Sequence, residues 1–172
     1  LVAHISTVAH LSPDGFVDTA SRLANLIERT ISGPMWHGPS LTEVLDGVSP
    51  TEAAARPIGG AHTIWELVLH ITTWADVGRA RLTGQRLGGI TEAEDWPTPG
   101  AATADNWSKA LGAMRASYTE LASETRVLTD DALRAIIPQS EPPHSVETLL
   151  HGVVEHGCYH GGQIALLKRA VQ

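Results

Sequence analysis

The chain has 172 residues and a net charge of −7, with 12 basic against 19 acidic side chains and no Lys/Arg cluster, which argues against nucleic acid as its partner because phosphate neutralisation needs a basic footprint. Apolar residues make up 42% and charged residues 18%, enough for one domain with a single core and too apolar for a disordered chain. One cysteine excludes an internal disulfide and suits the cytoplasm, no apolar run reaches the roughly 20 residues of a membrane span, and the opening LVAHISTVAHLSP lacks the basic region of a signal peptide.

Residues 1–15 read as an N-terminal extension and 16–172 as one helical domain. The first helix is predicted from about Phe16 to Ile31, with Phe16, Ala20, Leu23, Ile27 and Ile31 on one stripe and Gly33-Pro34 as its stop. A short helical segment follows over Ser40 to Asp46, capped by Ser40. The second long helix is predicted over Thr63 to Thr83, closing at Gly84. Gln85 to Ala102 is a long Gly- and Pro-rich connection, of the kind that covers a site when it is not disordered.

The third long helix carries Trp107, Leu111, Met114, Tyr118, Leu121 and Leu128 on a seam suited to near-antiparallel packing. Asp131 to Ile137 adds a turn before the proline-rich break at Pro138 to Pro143. The last helix starts at a cap on Ser145 and runs to about Val171. Four long helices, one long crossover and no strand alternation predict an all-α four-helix bundle.

Nine histidines are many for this length. His156 and His160 lie one turn apart on the last helix, and with Gln163 they share an arc with Leu149, Val153 and Leu167. That arc is the apolar stripe that faces the interior, so the imidazoles need partners there, since each unsatisfied buried polar group costs about 1–3 kcal/mol. Two readings stand: a metal ion shared by both rings, or two core histidines bonded to carbonyls or carboxylates. The second helix supplies a third ring, His70, at the edge of the stripe formed by Ile64, Leu67, Val68, Ile71 and Leu82. Three neutral imidazoles suit zinc, nickel or iron(II) and leave coordination positions open, as reactive sites do.

Around these rings, Glu66 and Trp74 flank His70 within its arc. Glu66 is either a catalytic base or a first-turn acid that favours the helix N-terminus. Gln163 is a partner of the rings or a substrate contact. Trp65, Trp74 and Trp96 are candidate pocket walls, with core packing as the alternative for Trp74. His37 either reaches the site mouth as a cofactor-binding residue or plays a capping or packing part. His151 and Cys158 fall on the opposite face of the last helix. Trp65 and Leu69 lie off the main stripe of the second helix, so a homodimer is expected unless other parts of the chain cover them.

These segments resemble the DinB/YfiT-like superfamily of bacterial metalloenzymes. Ala61-His-Thr-Ile-Trp-Glu-Leu-Val-Leu-His70-Ile-Thr-Thr-Trp74 resembles its first histidine segment, and Glu155-His156-Gly-Cys-Tyr-His160-Gly-Gly-Gln163 its second. Trp36-His-Gly-Pro-Ser-Leu41 and Asp95-Trp-Pro97 are similar to further segments of one branch. The resemblance implies an up-down-down-up four-helix bundle with a divalent metal on His70, His156 and His160. It further implies metal-dependent transfer of a low-molecular-weight thiol, such as bacillithiol or mycothiol, to a small electrophile. The alternatives it leaves are a metal-dependent hydrolase, for which Glu66 is the base, and a non-catalytic metal-stabilised stress or binding protein.

Overall fold

The computed structural model describes residues 17–86 and 88–172. Among them all regular structure is helical, and no strand forms beyond isolated bridges such as Met35 with Gly38. The long helices are α1 (Thr19–Ser32), α4 (Ile64–Leu82), α6 (Ala104–Arg126) and α8 (Val146–Val171). The short ones are α2 (Leu41–Leu45), α3 (Pro50–Ala54), α5 (Glu92–Asp95) and α7 (Asp130–Arg134). The expected extension 1–15 and the stripe residue Phe16 lie outside the described residues.

Caps set the boundaries. Asp18 accepts from the Ser21 amide at 2.7 Å and starts α1 three residues after Phe16. Gly33 ends it with φ 64, a left-handed conformation in which its N–H reaches Arg29 O. Thr63 and Glu66 close a reciprocal capping box on α4, and Ser145 caps α8. Two helices that apolar periodicity does not reveal, α3 and α5, also begin on capping boxes, Ser49 with Glu52 and Thr91 with Glu94. The connection over Gln85 to Ala102 is therefore partly helical.

The four long helices meet in a cycle, α1 on α6, α6 on α4, α4 on α8 and α8 on α1. Ile27, Ile64, Leu67, Ile71, Met114, Leu121, Leu150 and Ile164 fill the space between them. On the α6 seam Trp107, Met114, Tyr118 and Leu121 are buried, whereas Leu111 is half-buried and Leu128 lies past the helix end.

Trp65 does not wait for a second copy. It is 2% exposed, and its ring lies 5.0 Å from that of Trp107, whose Nε1 donates to Val48 O at 2.9 Å. Leu69 packs on the same core. The chain itself covers the second face of α4, and the sequence argument for a homodimer loses its basis.

Candidate metal centre

α4 carries His70 and α8 carries His156 and His160, and the contact between these two helices brings the three rings together. His156 Nε2 lies 2.9 Å from His70 Nε2 and 3.0 Å from His160 Nε2. His70 is 5% exposed and His160 6%.

The remaining ring nitrogens fix the tautomers. His70 Nδ1 lies 2.8 Å from the Asp95 backbone carbonyl and 3.1 Å from Asp95 Oδ1. Both are acceptors, so Nδ1–H donates and Nε2 turns to the other rings. Gln163 Oε1 holds His160 in the same way, 2.7 Å from Nδ1. Burial holds His160 below the usual histidine range, with His70 and His62 adding to it against Gln163 and Asp95. Burial, then His160 and His70, takes His156 down to about 3. His156 is thus uncharged near neutrality, and its buried Nδ1 has no hydrogen-bond partner among the described residues.

This donor set does not satisfy itself. With the His70 and His160 protons committed outward, the single proton of neutral His156 leaves either an orphaned N–H at Nδ1 or an orphaned lone pair there. In the first case three Nε2 lone pairs face one another. A divalent cation accepts all three together, and two of the rings already have the outward N–H bonds that ligating histidines usually make.

Around the rings, Trp96 stacks on His70 at 3.8 Å between centroids, and Trp74 Nε1 donates to Asp95 Oδ1 at 2.7 Å. A pocket of about 520 Å³ opens beside His70 and His156, walled by Trp74, Leu149, Val153 and Pro142 with His144 at its side.

A family model described as the DinB superfamily matches residues 36–164, which include both histidine segments. The chain belongs to the DinB superfamily. No curated protein and no solved structure gives a significant match. Among the described residues of this DinB-superfamily chain, no helix is long and apolar enough to cross a membrane.

The structure brings His70, His156, His160, Gln163 and Trp74 together and sets two other candidates apart. The Glu66 carboxylate closes the α4 cap on the Thr63 amide at 2.7 Å and pairs with Arg56 at 2.7 Å. The carboxylate beside the cluster is Asp95, and Glu66 takes the other of its two readings, the first-turn acid at the helix N-terminus. Periodicity reports which arc Glu66 occupies, not that Arg56 pairs with it. His37 is exposed and lines a different cleft of about 150 Å³, with Thr30, Gly157 and Cys158. Cys158 is half-buried there, its thiol pushed up by burial and by Glu155, while His151 is exposed. Sequence reasoning gave no role to Asp95 or His144. For Asp95 a signal existed, because the Thr91–Glu94 capping box predicts a short helix delivering Asp95 and Trp96 as a unit.

Proposed function

We propose that this chain is a metal-dependent enzyme that transfers a low-molecular-weight thiol, of the bacillithiol or mycothiol kind, to a small electrophile in the cytoplasm. His70, His156 and His160 would hold a divalent cation (zinc, nickel or iron) within an up-down-down-up four-helix bundle. The convergence of three Nε2 atoms beside an apolar pocket carries the reading. Bound there, such a cation would lower the pKa of a thiol and so supply thiolate, the reactive nucleophile.

The chain's own residues then have separate tasks. Asp95 and Gln163 orient His70 and His160 through Nδ1. Trp96 covers the face of His70. Trp74, Leu149 and Val153 give the electrophile an apolar wall that excludes water. The thiol must come from outside, because Cys158 lines the other cleft. A hydrolase would need a base, and the nearest carboxylate, Asp95, already accepts from Trp74 and His70.

Elemental analysis of protein purified without a histidine tag or nickel column tests the site, and turnover with and without added thiol tests the reaction. One cation per chain and strict thiol dependence are expected. Protein that carries no cation and ignores chelators would overturn the reading. Thiol-independent turnover would indicate hydrolysis, and metal without turnover a binding protein.

A further inference from the structure

Arg81 lies at the C-terminal end of α4 and is half-buried, yet no carboxylate lies within ion-pair distance among the described residues. The other arginines near it differ. Arg79 meets Glu120 and Glu124, and Arg86 meets Glu94. Among the described residues Arg81 makes one hydrogen bond, from Nη2 to Gly88 O at 3.2 Å, and its guanidinium sits over the Trp74 ring, 5.9 Å from the centroid. Burial, and then the neighbouring Arg86, act against its charge. A guanidinium has five N–H donors and remains charged at any physiological pH. A half-buried guanidinium with no ion-pair partner and most of its donors left to solvent can receive an anion.

Its position says which anion. Arg81, Gln139 and Ser140 line a cavity of about 380 Å³ whose wall also includes Trp74, His144 and the exposed Glu141, which makes no ion pair with Arg81. The same two residues line the pocket beside His70 and His156. The Trp74 ring carries Arg81 over it and stands edge-on to His156, 5.9 Å between ring centroids. One indole therefore separates the histidines from the guanidinium. With Arg86 paired to Glu94 and exposed Glu141 on the same wall, the one guanidinium balances at most a single negative charge, which a carboxylate supplies and a phosphate dianion exceeds.

We propose that the pocket takes a carboxylate-bearing small molecule, with its reactive end at the three histidines, its apolar stem along Trp74, Leu149 and Val153, and its carboxylate on Arg81. This builds on the function proposed above and names the chemistry of the ligand's far end. The carboxylate belongs either to the thiol or to the electrophile, and the recognition is the same in both cases.

Two matched pairs of probes test it. The first is 6-mercaptohexanoate against 6-mercaptohexanol, and the second is hexanoate against hexanol. Each is titrated into cation-loaded and cation-free protein by calorimetry, with tryptophan fluorescence alongside. The acid is expected to bind roughly tenfold or more tighter than its alcohol, the scale of a charge-assisted hydrogen bond. In Arg81→Gln the ratio should collapse towards one while cation content stays that of the wild type. Arg81→Lys, which keeps the charge and loses the fork, should retain part of the preference and stands in if the glutamine variant does not fold. A preference in both pairs assigns the carboxylate to the electrophile, and one confined to the mercapto acid assigns it to the thiol. An acid-to-alcohol ratio near one in wild type, or one unchanged by either substitution, overturns the inference. Protein that binds no cation yet still prefers hexanoate through Arg81 would refute the proposed function and leave the anion site standing.

Discussion

His70 and Trp96 lie ring on ring, 3.8 Å between centroids and 3° between planes, although one belongs to a long helix and the other to a connecting segment. Trp96 is also stacked with His62, at 3.5 Å and 2°. Its neighbour Asp95 binds Nδ1 of His70. Two consecutive residues thus cover the ring and fix its tautomer. The α5 capping box presents them, with Glu94 held at about 2 by the Thr91 amide, Arg86 and the Thr91 hydroxyl.

Substituting His160 and His151 separates a ligand from a bystander on the same helix. His160→Ala removes one of the three converging nitrogens, so cation content at purification should fall sharply. The melting temperature should fall with it, because a cation bound only by the folded state stabilises that state. Exposed His151→Ala should keep both, as surface substitutions usually do. Equal occupancy in wild type and His160→Ala would rule out the three-histidine site.

Gln163 should tune affinity without being a ligand. Gln163→Ala removes the acceptor on His160 Nδ1 and is expected to weaken cation binding by roughly 10–100-fold. Gln163→Glu restores an acceptor and should recover most of that loss. Competition against a chromogenic chelator reads both. An alanine variant with wild-type affinity would show that this contact does not orient the ring.

Glu66 should matter to the helix and not to the centre. Glu66→Ala is expected to lower stability by about 1 kcal/mol, the scale of a lost cap, and to leave cation content unchanged. Burial pushes the Glu66 carboxyl up, but the Thr63 amide, Arg56 and His62 together bring it below its ordinary value of 4.5. Its stabilising contribution is therefore complete above pH 4.5 and is lost as the pH falls through the lower folded value. Urea unfolding of wild type and variant at neutral and acid pH should show the gap between them narrowing on acidification. A constant gap would contradict the ionised cap.

Tyr118 and Gly157 share a tight contact in the core. The Tyr118 hydroxyl is buried without a partner among the described residues, so Tyr118→Phe should be neutral or stabilising by about 1 kcal/mol. A Cβ on Gly157 would meet Tyr118 Oη at 2.7 Å and Thr30 Cγ2 at 2.8 Å. Gly157→Ala should therefore destabilise by about 1–3 kcal/mol despite the better helix propensity of alanine. In the Tyr118→Phe background the loss should shrink. Thermal unfolding of the three variants checks this, and a stabilised Gly157→Ala would show that the contact has slack.

The long helices were legible because caps and stripes are local. Thr63, Ser145 and Gly33 mark their ends, and the arc of His156, His160 and Gln163 follows from helical geometry alone. What the stripes do not encode is which group reaches a side chain from a distance. Trp65 looked unpartnered because Trp107 lies 42 positions away, and their 5.0 Å approach exists only once α6 has docked. Glu66 sat on the right arc and was taken by its own cap, while Asp95 reached His70 from a connection with no apolar period. The short helices α3 and α5 were too brief for a hydrophobic stripe, although their capping boxes were readable.

The three histidines ride on helices locked into the core, whereas part of the surrounding wall comes from the connections between the long helices. Asp95 ends α5 and Trp96 follows it, and Pro142 and His144 precede α8. Part of the cavity's shape is therefore written outside the helices that carry the three rings. Grafting a different connector between α7 and α8, or one between α4 and α6 that keeps Asp95 and Trp96, would redraw the cavity while the core that presents His70, His156 and His160 stays assembled. Such a scaffold can be re-tailored to new molecules by local loop exchange, without first repacking the protein.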